Sequence, residues 1–182
     1  MKLKCEDFIT PKQQIYVLMG LPGAGKTTWA KKKIIDNNNT LVIGRDGIRY
    51  MLSAGYSYNS SQKHQDFVYK ASYYLIENGL LEGFNIIIDQ LSLSKGQRFD
   101  THRHIKEFCR VNEIYCDIHL VHLTEEEENV QRRLDSNMCW GDREYYENLI
   151  KKLKDSTEEV GDWEEFDSYS QVDKNGDIKK IW

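Results

Sequence analysis

Short apolar runs alternate with amphipathic segments along most of the chain. Four runs are rich in β-branched residues, are too short for helices and predict buried strands at residues 13–19, 40–43, 85–89 and 114–123. The segments between them predict helices at residues 27–35, 60–81 and 94–111. This alternation is typical of an α/β fold with a mostly parallel sheet and helices on both faces, and we expect five strands.

Within the helix predicted at residues 60–81, five residues recur at spacings of three and four and indicate one face of an amphipathic helix: Phe67, Ala71, Tyr74, Leu75 and Asn78. We expect this helix to end near Gly79 or Gly83, because glycine is common just after the last helical turn.

The last third of the chain is less regular. Residues 124–127 have the spacing of a capping box and predict a helix to Leu134, and helical character returns over residues 143–154. The weak pattern between them indicates a lid, which we place around residues 132–150. A C-terminal hairpin is expected around residues 168–182, because Asn-Gly between short apolar segments is a strong hairpin signal.

Length and composition favour one folded unit. A chain of 182 residues with 40% hydrophobic side chains has the size of one domain, so we treat residues 1–182 as a single domain. No apolar run approaches the roughly 18 to 20 residues of a membrane span, and the N-terminus lacks the apolar stretch of a signal peptide. We therefore expect a cytoplasmic protein without membrane contact.

The charge balance limits the partners. With 25 Lys and Arg against 29 Asp and Glu, the net charge of −4 argues against broad coating of nucleic acid, although a nucleic-acid end can enter a local basic pocket. The four cysteines contain no CxxC pair, so we expect reduced thiols and no zinc site: Cys5, Cys109, Cys116 and Cys139. The sequence does not determine the oligomeric state.

The clearest chemical motif follows the first predicted strand. Residues 20–27 fit the phosphate-binding pattern G-x-x-x-x-G-K-[ST] between a strand and a helix. Glycines turn N–H groups inward, the helix N-terminus favours anions, Lys26 balances the β- and γ-phosphates, and Thr27 can ligate Mg²⁺. We therefore expect Mg²⁺ and ATP, or another nucleoside triphosphate, bound by Gly20, Leu21, Pro22, Gly23, Ala24, Gly25, Lys26, Thr27 and Thr28.

Polar residues also follow the second and third predicted strands, at the sheet edge where ligands bind in such folds. Asp46 can accept the proton of an attacking hydroxyl, and Arg49 can clamp an anionic group on the acceptor. A helix cap with an i, i+3 ion pair explains the same two residues equally well. Asp89 is placed to hold a Mg²⁺-bound water, with a capping aspartate as the alternative.

Two adjacent arginines, Arg132 and Arg133, begin the predicted lid. Consecutive helical residues diverge by about 100°, so we expect only one of them to reach the transferring phosphate. Ion pairs with the glutamates at residues 125–128 are the alternative.

Taken in order, four segments resemble the kinase domain of the phage-type 5'-hydroxyl polynucleotide kinases and the small P-loop kinases around them. The resemblance covers roughly residues 13–150, through the residues 20–30, 45–49, 86–92 and 127–133. It implies a P-loop kinase fold, with Asp46 as the general base for the 5'-hydroxyl and Arg49 on the phosphate 3' to the acceptor nucleotide. It also implies that Asp89 is the acidic residue of the third strand and that Arg132 or Arg133 is the arginine of the lid. Gln90 stands where the family usually has a small or hydroxyl residue, and we count both Gln90 and Asp89 among the acceptor-binding residues.

We therefore expect an ATP-dependent phosphotransferase that adds the γ-phosphate to the 5'-hydroxyl end of a polynucleotide. A mainly basic helix after the third strand gives some support, with a solvated helix face as the alternative: Lys95, Arg98, His102, Arg103, His104, Lys106 and Arg110. A kinase for a small molecule or modified nucleoside is the first alternative, which the overall acidity favours. A non-enzymatic nucleotide-binding module is the second. The choice between DNA and RNA, and between ATP and GTP, stays open.

Overall fold

The computed structural model describes residues 12–53, 61–124, 143–173 and 175–182. Within them, six strands form one sheet in the order β2-β3-β1-β4-β5-β6. The strands are β1 Gln13–Met19, β2 Thr40–Gly44, β3 Asn85–Asp89, β4 Cys116–Leu123, β5 Ser168–Val172 and β6 Ile178–Lys180. The first five are mutually parallel and β6 is antiparallel to β5, so the expected mostly parallel α/β sheet is confirmed.

The sheet has one strand more than the five that the sequence predicted. After β5 the chain turns, with the Asp173 N–H donating to the Asp177 carbonyl, and β6 then pairs Lys180 with Ser170. β6 has three residues, all exposed, and lies at the edge of the sheet. Because β6 buries no side chain it leaves no apolar pattern, and only the Asn-Gly signal of the expected C-terminal hairpin indicated this sixth strand.

The described residues contain five α-helices and a short 3₁₀ helix at Asp162–Glu164. The α-helices are α1 Lys26–Asp36, α2 Arg45–Leu52, α3 Gln62–Leu81, α4 Lys95–Val111 and α5 Arg143–Asp155. Serine side chains cap two of them: Ser61 accepts from the His64 N–H, and Ser94 forms a capping box with Gln97. Such caps satisfy N–H groups that have no partner within the helix.

Two hydrophobic clusters lie on opposite faces of the sheet. On one face, Ala30 of α1 packs with Leu18, Ile87 and Val121. The larger cluster joins α3 and α4 to the other face through side chains that include Ile15, Val17, Ile76, Leu80, Ile86, Ile88 and Ile105. The prediction of helices on both faces is therefore confirmed. Each fully buried aliphatic side chain contributes about 1.5–3 kcal/mol relative to exposure.

The buried face of α3 differs from the predicted one. Phe67 and Tyr74 are 58% and 65% exposed, and the residues that face the core are Val68, Ser72, Tyr73, Ile76, Gly79 and Leu80. A Cβ at Gly79 would lie 2.9 Å from the Ile86 side chain, so glycine allows α3 to approach the sheet with this side. Gly79 therefore lies within the helix, which ends at Leu81 before the left-handed Gly83.

A search of the described helices finds none that combines the length and the apolar character required to cross a bilayer.

Helix α4 does not present the basic face that the sequence predicted. Arg98 and His102 are buried, and Lys95 lies over the ring of Trp163. The remaining basic side chains each contact a carboxylate, in the pairs Arg103–Asp100, His104–Glu77, Lys106–Glu165 and Arg110–Glu107. Acidic side chains that lie close in space neutralise most of the charge of α4, so this helix no longer supports nucleic-acid binding.

Arg98 lies at the centre of a buried polar network. Its guanidinium donates to both carboxylate oxygens of Glu164, at 2.6 and 2.9 Å. It also donates to the carbonyls of Ser92, Leu93 and Glu159, at 3.1, 2.9 and 3.1 Å. The side chains of this ion pair have no exposed surface. The network therefore ties the loop after β3 to the segment that leads into β5.

Replacing Arg98 with Met is expected to lower the free energy of unfolding by about 3–5 kcal/mol, because Glu164 would remain buried without its counter-charge. Arg110→Met on the same helix is the matched control: its pair with Glu107 is mostly exposed and screened by water, and we expect a much smaller loss. Urea denaturation measures both. Equal losses in the two variants would contradict the structural role of Arg98.

Candidate active site

The glycine-rich loop lies between β1 and α1, where the sequence predicted it. Gly20 has φ +147°, and a Cβ there would lie 2.7 Å from the Leu123 carbonyl oxygen, so only glycine fits. Gly25 is the N-cap of α1, and no side chain caps this helix. The N–H groups of its first turn have no intrahelical partners and form a ready anion site.

Lys26 is buried beneath this loop, with 8% of its surface exposed. Its ammonium donates to the carbonyl oxygens of Gly20 and Leu21, at 2.9 and 2.8 Å. Burial lowers the pKa of Lys26, and the charges of Asp89 and Asp46 oppose that shift. Both hydrogen-bond partners of the ammonium are neutral carbonyls, so a bound phosphate group would supply a negative charge in direct contact with this cation.

Thr27 and Asp89 meet at the start of α1 and the end of β3. The Thr27 hydroxyl donates to a carboxylate oxygen of Asp89 at 2.7 Å. Ser94 caps α4, so Asp89 does not have the capping role that was its alternative interpretation. A hydroxyl and a carboxylate oxygen fit Mg²⁺, which prefers oxygen ligands and takes the rest of its shell from water and phosphate. The described residues hold no group of three His, Cys, Asp or Glu side chains around a common point.

Asp46 and Arg49 lie one turn apart on α2. Arg49 donates to an Asp46 carboxylate oxygen at 2.6 Å, and the Asp46 side chain is 75% exposed. Gly44 is the N-cap of α2, so the cap interpretation of Asp46 is wrong, whereas the alternative ion pair is confirmed. The Gln65 side-chain oxygen on α3 accepts from Nε and Nη2 of Arg49, at 3.1 and 2.7 Å.

Gln90 is held by two side chains that the sequence analysis did not single out. Its oxygen accepts from Nη2 of Arg45 at 3.1 Å, and its amide nitrogen donates to the Thr101 hydroxyl at 3.1 Å. The Arg45 guanidinium lies over the ring of Tyr69, 4.9 Å from its centroid. These contacts join four separate elements, so no local spacing in the sequence could have indicated them.

The sheet brings most of these side chains to one edge. β3 lies between β1 and β2, and Gly44 is opposite Asp89 in the parallel register. The loop residues, Asp46, Arg49, Asp89 and Gln90 therefore meet at the carboxyl ends of three neighbouring strands. Thr28 lies exposed on the first turn of α1, and Ala24 is buried against the sheet. Arg132 and Arg133, with most of the predicted lid, lie outside the described residues.

Three comparisons with known proteins are informative. A family model described as an AAA domain, AAA_33, matches residues 15–156. The L-seryl-tRNA(Sec) kinase of Methanococcus maripaludis is 29% identical over 110 residues, which are 58% of this chain and 40% of that enzyme. This chain therefore matches less than half the length of that relative.

Two solved structures share the fold. The PezAT toxin–antitoxin system of Streptococcus pneumoniae matches with a TM-score of 0.66 and 18% identity, over 94% of this chain and 71% of that one. A fungal RNA kinase matches with a TM-score of 0.62 and 13% identity, over 88% and 74% of the two chains. At these identities the likeness concerns the fold alone.

The family match covers more than half of the chain and contains the phosphate-binding loop, β2, β3 and Asp89. The sheet order and the loop geometry agree with it. This chain belongs to the AAA-domain family AAA_33 and has the α/β fold of the P-loop kinases.

Proposed function

We propose that this protein transfers the γ-phosphate of ATP to the 5'-hydroxyl end of a polynucleotide. The observation that carries the proposal is the meeting of two half-sites at one sheet edge. The phosphate-binding loop with Lys26 and Thr27 forms the donor side, and Asp46 with Arg49 forms the acceptor side. A nucleotide-binding module without chemistry would need only the first half-site.

On the donor side, the N–H groups of the loop and of α1 bind the phosphates, and Lys26 neutralises their charge. Thr27 and Asp89 would hold Mg²⁺ directly or through water, and the metal, when bound, withdraws charge from the transferring phosphate. The Lys26 ammonium donates two of its three N–H groups to carbonyls in the free protein, which leaves the third for a phosphate oxygen.

On the acceptor side, the hydroxyl oxygen attacks the γ-phosphorus and the bond to the β–γ bridging oxygen breaks. ADP leaves with that electron pair, and the hydroxyl proton passes to the Asp46 carboxylate. Asp46 is occupied by Arg49 in the free protein. An acceptor phosphate that draws Arg49 away would release the carboxylate for its role as base.

The relatives support a hydroxyl acceptor. The matched enzyme from Methanococcus maripaludis is a kinase for seryl-tRNA, and one of the matched folds is that of an RNA kinase. A polynucleotide end also supplies the phosphate that Arg49 is placed to bind.

A kinase for a small molecule or modified nucleoside is the second candidate, and one observation favours it. The basic residues of α4 are buried, paired with a carboxylate or, for Lys95, placed over the ring of Trp163, so this helix offers no extended basic track. A polynucleotide would therefore be held mainly at its end.

Replacing Asp46 with Asn is expected to slow phosphoryl transfer by about 10² to 10⁴-fold, because the proton acceptor is lost while the donor side stays intact. Steady-state kinetics with a 5'-hydroxyl oligonucleotide measure transfer, and titration with a fluorescent ATP analogue measures nucleotide affinity. Asp100→Asn, an exposed aspartate on α4, is the matched control. A collapse of nucleotide affinity in the Asp46 variant would show a structural role instead.

Replacing Arg49 with Leu is expected to abolish a preference for a nucleoside 3'-monophosphate over the bare nucleoside. The charge-assisted contact to that phosphate is worth about 1.5 to 3 kcal/mol, and Arg49→Lys should restore it only in part because an ammonium lacks the planar fork. The measurement is kcat/KM for the two acceptors. If the wild type prefers the bare nucleoside, a sugar or an antibiotic, the small-molecule candidate replaces the polynucleotide end.

Transfer to a polynucleotide is expected to weaken only gently as salt rises, since few phosphate contacts are available beyond the end. The slope of log(kcat/KM) against log[salt] reports the number of contacts. A slope that corresponds to about six or more contacts would require an extended basic track and would contradict binding at the end alone.

A further inference from the structure

Arg45, the first residue of α2, is a cation to which the proposed mechanism gives no role. Its guanidinium is half-buried beside the acceptor half-site. The contacts to this group are one hydrogen bond to the amide oxygen of Gln90, at 3.1 Å, and the ring of Tyr69. Neither partner is a carboxylate.

The other arginines whose side chains are described differ from Arg45 in this respect. Each of them pairs with a carboxylate, in the pairs Arg49–Asp46, Arg98–Glu164, Arg103–Asp100 and Arg110–Glu107. Among the arginines whose side chains the structure describes, Arg45 is therefore the one that has no ion-pair partner. A cation partly removed from water without a counter-charge is costly, and an anionic ligand would remove that cost.

The surroundings of Arg45 are built rather than incidental. A narrow cleft between the sheet and the helices α3 and α4 is lined by Arg45, Ser72, Tyr73, Asp89, Gln90 and Thr101, together with three isoleucines. The Asp89 carboxylate lines the same cleft but forms no ion pair with Arg45, and the cleft has room for about one water, so an acceptor anion would approach the guanidinium from the solvent side. Gln90 is itself anchored by its hydrogen bond to Thr101, so it holds the guanidinium in a defined place. Burial raises the pKa of Tyr73 to about 12, so its phenol stays neutral and does not balance the charge.

The position of Arg45 relates it to the acceptor rather than to ATP. Arg45 precedes Asp46 in α2, at the end of β2, which is the strand beyond β3 from the phosphate-binding loop. Its hydrogen-bond partner Gln90 directly follows Asp89. The donor phosphates are served by Lys26 and the N-terminus of α1 on the β1 side.

We propose that Arg45 is a specificity-determining residue that binds an anionic group of the acceptor, in addition to the contact made by Arg49. This inference rests on the proposed kinase function. Gln90 and Tyr69 act as positioning residues for the guanidinium. Selectivity for an acceptor that bears phosphate then comes from two arginines, each held by its own glutamine: Arg49 by Gln65 and Arg45 by Gln90.

The test compares Arg45→Leu, Arg45→Lys and Gln90→Met with the wild type, and Arg103→Leu serves as the matched control. Arg103 is an exposed arginine on α4, so its replacement removes the same charge outside the site. For Arg45→Leu we expect the KM for a nucleoside 3'-monophosphate to rise about 10- to 100-fold while the KM for ATP changes less than twofold. Arg45→Lys should recover part of the loss, Gln90→Met should show a smaller rise of the same kind, and Arg103→Leu should show none.

A second measurement does not depend on turnover. A fluorescein-labelled 5'-hydroxyl oligonucleotide is titrated against each variant without ATP, and Arg45→Leu is expected to raise its Kd by the same 10- to 100-fold. Unchanged acceptor affinity, or an equal rise in the KM for ATP, overturns the assignment of Arg45. A loss that tracks lower thermal stability and that Arg45→Lys does not recover also overturns it, because Arg45 would then be a structural brace.

The two proposals fail differently. Acceptor binding that depends on Arg45, without any phosphoryl transfer by the wild type, would contradict the proposed kinase function and leave the anion contact standing. Transfer by the wild type that Arg45→Leu leaves unchanged would contradict the Arg45 proposal alone.

Discussion

The parallel register of β2 against β3 confines the candidate chemistry to one edge of the sheet. Gly44 lies opposite Asp89, and a Cβ at Gly44 would lie 3.2 Å from the Asp89 carbonyl oxygen, so the two strand ends are close. β1 lies on the other side of β3, and Thr27 therefore reaches Asp89 from the first turn of α1, which follows the loop after β1. A shift of one residue in either pairing would turn Asp89 to the opposite face of the sheet and separate the two half-sites.

The buried and half-buried cations fall into two groups: one stabilises the fold, and the others lie in the candidate active site. Arg98 is fully buried and fully compensated by Glu164 and three carbonyls, and it braces the loop after β3. The Leu91 carbonyl of that loop accepts from the Gly20 N–H at 3.0 Å, so the brace also supports the start of the phosphate-binding loop. Lys26 and Arg45, in contrast, contact neutral groups. Burial lowers the pKa of Lys26, and the negative charge of a bound phosphate would raise it again. The charged form of Lys26 is therefore most stable when the nucleotide is bound.

Features with a local cause were predictable from the sequence. The phosphate-binding loop, four strand positions and the helices α1, α3 and α4 depend on residues that lie close together in the chain, and the structure has them where the patterns indicated. The buried face of α3 was not predictable from the apolar pattern, because that face includes Ser72 and Gly79. Gly79 has no side chain and lets the helix approach the sheet on this side. The charges of α4 looked like a binding surface because the partners Glu77, Glu164 and Glu165 come from distant segments. Arg45 and Gln65 were missed because their partners, Gln90 and Arg49, also come from distant segments. The roles of Arg132 and Arg133 stay predictions.

The most direct test of the account follows the label from [γ-³²P]ATP in the wild-type protein with Mg²⁺. Two oligonucleotides of one sequence are compared, one with a 5'-hydroxyl and one with a 5'-phosphate. We expect the label to enter only the 5'-hydroxyl oligonucleotide, at its 5' end, and a phosphatase then to remove it. Label found only in inorganic phosphate, or in both oligonucleotides to the same extent, would contradict the assignment of the acceptor half-site.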